Sequence, residues 1–92
     1  MNRNELAEAV AARTELSPRS VDAALAAALA EIAKAVAGGE RVALAGFGTF
    51  EPRTRAARTG RNPRTGEAME IPAGVTPAFK PAAGFRRLVA SA

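Results

Sequence analysis

The chain has 92 residues, a length that suits one small domain. Hydrophobic residues make up 48% of it, but 24 of them are alanine, so only 20 larger apolar side chains can form a core. The sequence contains no Cys and no His, which excludes disulfides, zinc fingers and other soft metal sites. Small chains with so thin a core usually need a partner subunit, and we therefore expect an oligomer.

Positive charge is concentrated in the second half of the chain. Residues 1–50 carry five basic and six acidic side chains, whereas residues 51–92 carry eight basic and three acidic ones. One acid-free stretch contains five arginines: Arg53, Arg55, Arg58, Arg61 and Arg64. A charged edge that only prevents aggregation normally mixes both signs, so this cluster predicts that one part of the fold binds a polyanion.

The first half of the sequence predicts two helices. Asn2 is a typical helix N-cap, and Glu5 stands where it can complete a capping box. Ser17-Pro18 starts a second helix, which Gly38-Gly39 ends. The second helix has an apolar stripe at helical spacing, formed by Val21, Leu25, Ala28, Leu29, Ile32 and Val36.

A sheet with a long two-stranded arm is predicted next. Residues 41–45 alternate as a strand, residues 46–48 form a tight turn, and a second strand begins at Thr49. From about residue 52 to 75 large apolar side chains are few, and the central residues 62–66 have strong turn chemistry. We therefore expect an antiparallel ribbon that projects from the body and, at about 3.3 Å per residue, reaches roughly 35 Å.

A short helix is expected at the C-terminus. Residues 75–79 are apolar enough to rejoin the sheet, Pro81 ends that strand, and residues 82–90 follow as a helix. Three side chains of this helix are expected to face inward: Phe85, Leu88 and Val89. The predicted fold class is α+β, in one domain that spans residues 1–92.

Catalytic and membrane functions find no support in the sequence. The serines have no histidine partner and no P-loop motif is present, so we expect no enzyme, no cofactor and no metal site. Glu67 and Glu70 are interpreted as charge partners of the arm arginines. No apolar run reaches about 18 residues and no signal peptide opens the chain, so we expect a cytoplasmic protein without membrane contact.

Side-chain alternation along the arm strand assigns faces to the arginines. It places three of them on one face: Arg53, Arg55 and Arg61. Arg58 falls on the opposite face unless a bulge intervenes at Ala56-Ala57. Guanidinium groups suit phosphate oxygens and narrow minor grooves, so duplex DNA is a polyanion that fits this arm.

Other features of the arm, the turn and the body have two interpretations each. Pro63 is either a plain turn proline, which the local sequence favours, or an exposed apolar wedge that opens a base step. Gly46 and Gly48 flank Phe47 and either serve turn geometry or let backbone N–H groups meet a phosphate. Basic residues that could extend the polyanion track are Arg3, Lys80, Arg86 and Arg87.

One set of residues matches a known family signature without a gap: Gly46-Phe47-Gly48-Thr49-Phe50, Arg55, Arg58, Gly60-Arg61-Asn62-Pro63 and Thr65-Gly66. The opening Met1-Asn2-Arg3, the Pro77-Ala78-Phe79 run and the chain length fit the same pattern. In these features the chain resembles the HU/IHF family of bacterial histone-like DNA-binding proteins, and within it the HU type.

The resemblance implies an intertwined dimer, with an N-terminal helical hairpin body, a three-stranded antiparallel sheet with a long β-ribbon arm, and a short C-terminal helix. It also implies an architectural protein of the nucleoid. Such a protein binds double-stranded DNA, including bent, nicked or junction DNA, through the minor groove with low sequence specificity, and it bends and compacts the duplex.

Site residues follow from the same match and from the basic track. The expected DNA-binding residues are Arg3, Gly46, Gly48, Arg53, Arg55, Arg58, Arg61, Asn62, Pro63, Arg64, Lys80 and Arg86. Pro63 takes the position of the proline that, as is known for this family, intercalates between base pairs. The dimer core is expected at Leu29, Ile32, Phe47, Phe50 and Phe79.

Several alternatives stay open on the sequence. An IHF-like sequence-specific subunit would share the fold. A homodimer is expected, and a heterodimer with a paralogue is the alternative. An RNA-binding protein is disfavoured because the arm has no aromatic residue to stack bases. A helix-turn-helix repressor is disfavoured because the second helix has only Arg19 and Lys34 as basic residues. Family members often carry Lys where this chain has Ala82-Ala83-Gly84, which predicts weaker DNA contacts at the flank.

Overall fold

The computed structural model describes all 92 residues as three helices and five strands. Their bounds are α1 Arg3–Ala12, α2 Pro18–Ala37, β1 Val42–Leu44, β2 Gly48–Arg55, β3 Arg58–Arg61, β4 Ala68–Ile71, β5 Gly74–Pro81 and α3 Ala83–Ala90. The predicted fold class is confirmed, since N-terminal helices precede antiparallel strands and a C-terminal helix follows them. Residues 1–34 and residues 35–92 form two compact units.

The helices begin and end where the capping residues predict. The Asn2 side chain accepts a hydrogen bond of 2.9 Å from the Glu5 backbone N–H, although the Glu5 carboxylate does not return the bond of a full capping box. The Ser17 hydroxyl accepts from the Ser20 N–H at 3.1 Å, and Gly39, with φ of +90°, follows the end of α2. None of the three helices combines the length and hydropathy that crossing a bilayer requires.

Very little of the chain is buried. Ala7 and Val21 are the only buried hydrophobic residues, and both belong to residues 1–34. Twelve large apolar side chains are exposed, among them Leu29 of the α2 stripe. The thin core expected from the composition is therefore what the folded chain has.

Residues 35–92 contain two antiparallel ladders. The first is a three-stranded sheet with strand order β1-β2-β5, and the second is the β3-β4 hairpin. Eight residue pairs join β2 to β5, from Gly48 opposite Pro81 to Arg55 opposite Gly74. The turn before this strand spans Ala45 to Phe47, so Gly48 belongs to the strand rather than to the predicted turn.

The long ribbon predicted for residues 52–75 is present but interrupted. Between the two ladders, Ala56-Ala57 lies opposite Pro72-Ala73, outside both strand pairs. Proline has no N–H to donate, which weakens the ladder at this point. Because each strand contributes two residues, the register is the same on both sides of the break. The bulge considered at Ala56-Ala57 is therefore absent.

Four phenylalanine rings form the apolar centre of residues 35–92. The ring centroids of Phe50 and Phe79 are 4.8 Å apart, and those of Phe47 and Phe85 are 5.0 Å apart in a stacked arrangement. Phe47 also lies 5.3 Å from Phe79. The cluster joins the β1–β2 turn, the two long strands and α3.

The expectation that Leu88 and Val89 face inward was wrong for the single chain. Their exposed fractions are 69% and 62%, whereas Phe85 is partly covered by the phenylalanine cluster. Helical spacing marks the apolar face of α3 but not the extent of the surface it meets. In the folded chain that surface ends at the first turn of α3.

Candidate nucleic-acid interface

The β2-β5 ribbon carries different chemistry on its two faces. Directly opposed residues of an antiparallel pair share a face. One face is apolar and includes Phe50 opposite Phe79 and Pro52 opposite Pro77. The other, here called the basic face, consists of Thr49, Glu51, Arg53, Arg55, Gly74, Thr76, Ala78 and Lys80. The register thus brings Lys80 onto the same face as Arg53 and Arg55, as a polyanion track requires.

The five arm arginines carry charges that no carboxylate in the chain balances. All five are exposed, and none lies within 4.0 Å of an acidic group. The interpretation of Glu67 and Glu70 as their partners was wrong. Glu70 lies opposite Thr59, and Glu67 lies in the loop before β4, so neither forms an ion pair.

The outer hairpin separates two of these arginines onto opposite faces. Arg58 lies opposite Ile71, and Arg61 lies opposite Ala68, three positions further along β3. The Ile71 side chain crosses over Gly60, where a Cβ would come within 2.9 Å of Ile71 Cδ1. A side chain at residue 60 would have to displace the end of the Ile71 side chain, so glycine gives Ile71 room to lie here.

The arm tip is held by its own hydrogen bonds. Asn62 Oδ1 accepts from the Arg64 backbone N–H at 2.9 Å, which makes an Asx turn around Pro63. Gly66, with φ of +72°, donates its N–H to the Asn62 carbonyl at 2.8 Å. Arg61 Nη1 donates to the Gly66 carbonyl at 3.2 Å. The loop leaves the Pro63 ring exposed at the arm tip.

Gly46 of the β1–β2 turn and Gly48 at the start of β2 are glycines for different structural reasons. Gly46 has φ of +77° and no atom within 4 Å of a notional Cβ, so its conformation requires glycine and its surroundings are open. Gly48 is buried, and a Cβ there would come within 2.7 Å of the Lys80 carbonyl oxygen. Packing therefore explains Gly48 without a ligand, and Gly46 is the more accessible of the two.

The body residues of the expected track differ in their surroundings. Lys80 and Arg86 are exposed and belong to residues 35–92. Arg3 belongs to the first unit, where its Nε donates to Asp22 Oδ1 at 2.9 Å. Sequence reasoning missed Arg41, which lies 3.7 Å from Glu51 of the basic face. That Arg41, just before β1, lies opposite Glu51 follows only from the register of β1 and β2.

Comparison with known proteins identifies the family to which the chain belongs. The family model described as "Bacterial DNA-binding protein" matches residues 1–90. The chain belongs to the bacterial DNA-binding protein family. The resemblance to the HU/IHF proteins is thereby confirmed, and the family is one of DNA-binding proteins rather than of enzymes.

Relatives within the bacterial DNA-binding protein family carry the name HU. DNA-binding protein HU of Nostoc sp. strain PCC 7120 is 51% identical over 90 residues, which cover 98% of this chain and 96% of that protein. HU of Geobacillus stearothermophilus is 49% identical over 89 residues, with coverage of 97% and 99%. These names favour the HU type over the IHF alternative.

Solved structures of family members have the same fold. An Anabaena HU–DNA cocrystal structure superposes with a TM-score of 0.94 at 50% identity and covers all of both chains. A mutant HU from Thermotoga maritima gives a TM-score of 0.72 at 29% identity, with coverage of 97% of this chain and 99% of that chain. The Anabaena protein was thus crystallised with DNA in a conformation close to the one described here.

Proposed function

We propose that this protein is an architectural, nucleoid-associated DNA-binding protein of the HU type. It binds double-stranded DNA through the minor groove with low sequence specificity, and it bends and compacts the duplex. The observation that carries the proposal is the arm: five exposed arginines without a carboxylate partner lie on a ribbon whose tip presents an exposed proline.

The arm residues divide the work of binding and bending. The arginines neutralise phosphates and release condensed counterions. Pro63 enters a base step and kinks the duplex at a cost of a few kcal/mol, which the added contacts of the bent DNA offset, as is known for minor-groove architectural proteins of this family. The proposed DNA-binding residues are Arg3, Gly46, Gly48, Arg53, Arg55, Arg58, Arg61, Asn62, Pro63, Arg64, Lys80 and Arg86. Among them, buried Gly48 acts through the packing of β2 rather than by touching DNA. Asn62 acts chiefly by shaping the tip loop.

The active species is proposed to be a dimer with two such arms. An apolar groove of about 360 Å³ lies between the phenylalanine cluster and α3, lined by Phe79, Pro81, Phe85, Arg86, Val89 and Ala90. Exposed Leu88 adjoins this groove in sequence, and Leu29 and Phe47 are exposed as well. A second subunit that covers these side chains supplies the core that one chain lacks. Leu29, Ile32, Phe47, Phe50 and Phe79 are the proposed dimer core, in a single 1–92 domain whose arm spans about residues 52–75.

Binding and mass measurements test the proposal together. Gel-shift titrations with linear, nicked and four-way-junction DNA across a salt series are run beside light scattering. If about half of the dimer's ten arm arginines neutralise phosphates, the slope of log K against log salt is roughly −4 to −5. A salt-independent affinity, or a particle with the mass of one chain, contradicts the proposal. Variants that replace one arm arginine by glutamine are compared with Arg19→Gln, a control that removes one cation from α2 instead.

Low sequence specificity is the point that separates the HU type from an IHF-like subunit. Competition between random duplexes and a duplex chosen by selection measures the specificity ratio at fixed salt. We expect random and selected duplexes of equal length to displace the protein at concentrations that differ by no more than about tenfold. A ratio of about 10³ or more, in the range typical of sequence-specific binders, identifies the IHF-like function instead.

A further inference from the structure

An ion pair stands on the basic face of the sheet. Arg41 Nε lies 3.7 Å from Glu51 Oε2. Val42 of β1 pairs with Phe50 of β2, so Arg41, one residue earlier, lies opposite Glu51. Glu51 in turn lies opposite Ala78 of β5. It is the only acidic residue of the basic face, and Arg53 follows it two positions later on the same face.

A carboxylate in this position opposes the proposed function unless something screens it. A phosphate near Glu51 would be repelled by its charge, and such repulsion between like charges lowers the affinity for DNA. The side chains of the pair are not equally exposed: Glu51 retains 20% of its exposed area and Arg41 retains 66%. The guanidinium is therefore the more solvent-exposed member of the pair.

The guanidinium keeps donors free for a second partner. Its Nε edge faces Glu51 at 3.7 Å, which is the distance of an ion pair and too long for a hydrogen bond, and no hydrogen bond engages the Arg41 side chain. The two terminal amino groups therefore remain available, and their planar fork matches the oxygens of a phosphate. The attraction of the Glu51 carboxylate also favours this orientation of the guanidinium before a phosphate arrives.

We propose that Arg41 is a further phosphate-contacting residue and that Glu51 is the residue that positions it. This inference rests on the proposed DNA-binding function and deepens it. In this arrangement the Glu51 carboxylate orients the Arg41 guanidinium, and the guanidinium binds the phosphate. Along β2, Glu51 lies between Thr49, which is opposite Lys80, and Arg53. Glu51 thereby strengthens DNA binding even though its charge has the same sign as the ligand.

The test compares four proteins by equilibrium DNA binding over a KCl series: the unaltered chain, Arg41→Gln, Glu51→Gln and the double variant. Arg41→Gln lowers the affinity roughly threefold at low salt and makes the log–log slope shallower by about 0.9 for each phosphate that is no longer neutralised. Glu51→Gln also lowers the affinity, although it makes the protein more positive. In the Arg41→Gln background the same change no longer lowers it, because there is no guanidinium left to position.

Matched controls carry the same charge changes at residues that are not members of the basic face. Arg19→Gln removes one cation and Glu40→Gln removes one exposed carboxylate. We expect Glu40→Gln to tighten binding slightly or leave it unchanged, in contrast to Glu51→Gln. Should Glu51→Gln unfold, Glu51→Asp replaces it: this variant keeps the charge but shortens the reach to Arg41, and it too lowers the affinity.

Opposite results overturn the inference in recognisable ways. Tighter binding by Glu51→Gln in both backgrounds shows that Glu51 only repels DNA. An unchanged salt slope in Arg41→Gln shows that Arg41 meets no phosphate. Either result leaves the proposed function standing if the unaltered chain binds duplex DNA with the expected salt dependence. Failure of the unaltered chain to bind any duplex overturns both.

Discussion

The ring of Phe79 occupies the space that a side chain at Gly48 would need. A Cβ built on Gly48 comes within 2.6 Å of Phe79 Cε1, a distance at which one of the two must move. Phe79 cannot move freely, because its ring also packs against Phe47 and Phe50. This contact fixes the start of β2, and with it the β1–β2 turn, against β5.

Gly48→Ala is therefore expected to destabilise the fold by roughly 1–3 kcal/mol, the usual range for overpacking a tight site. Thermal unfolding followed by circular dichroism measures the effect. Gly74→Ala is the matched control, since nothing lies within 4 Å of its notional Cβ and its φ is not positive, and it should be close to neutral. Equal melting temperatures for the two variants contradict the packing role of Gly48.

Pro63→Ala is expected to reduce DNA bending more than DNA affinity. The methyl group of alanine is too small a wedge and does not fix the backbone as the proline ring does, whereas the arginines that neutralise phosphates are untouched. Energy transfer between dyes at the two ends of a duplex measures the bend, and a titration of the same duplex measures affinity. The control is Pro18→Ala, which changes a proline at the first position of α2. An unchanged bend with Pro63→Ala rules out the wedge.

Asn62→Ala is expected to loosen the arm tip. It removes the oxygen that accepts the 2.9 Å hydrogen bond from the Arg64 N–H. Faster amide exchange at Arg64, measured by NMR, is the expected result, and Asn62→Asp restores protection because it keeps an acceptor oxygen. If exchange at Arg64 is the same in all three proteins, Asn62 does not hold the loop.

Val89→Ser is expected to lower the melting temperature, although Val89 is 62% exposed in the single chain. In a monomer, a polar substitution at an exposed site would hardly change the stability of the fold. At a surface that a second subunit covers, the same substitution weakens assembly and so lowers the melting temperature. Melting curves at several protein concentrations, with light scattering, measure this. Ala83→Ser, at the exposed start of α3, is the control. The proposed dimer is contradicted if the melting temperature does not depend on protein concentration and is the same in Val89→Ser as in the unaltered chain.

The local elements were predictable because their signals are short in range. Asn2, Ser17 and Gly39 act on backbone groups within a few residues, so the ends of α1 and α2 follow from sequence. The turn chemistry of residues 62–66 likewise predicts the arm tip. The family signature from Gly46 to Gly66 predicted the family, and the match over residues 1–90 confirmed it.

Contacts between distant residues were not predictable in the same way. The absence of a bulge at Ala56-Ala57 depends on Pro72-Ala73, which lie some fifteen positions later in the chain. The interpretation of Glu67 and Glu70 as charge partners failed because proximity in sequence does not determine cross-strand facing. Leu88 and Val89 were assigned to an interior that one chain does not possess.

The sequence by itself determined the order of the helices and strands, the acid-free run of arginines with a proline among them, and a hydrophobic content too small for a self-sufficient core. These are properties of composition and of neighbours along the chain, which capping, alternation and turn preferences express directly. Only the tertiary structure decided which side chains of different strands share a face, why residue 48 must be a glycine, and that Arg41 meets Glu51. Such relations depend on strand register and on packing between residues far apart in sequence, and no local signal carries them.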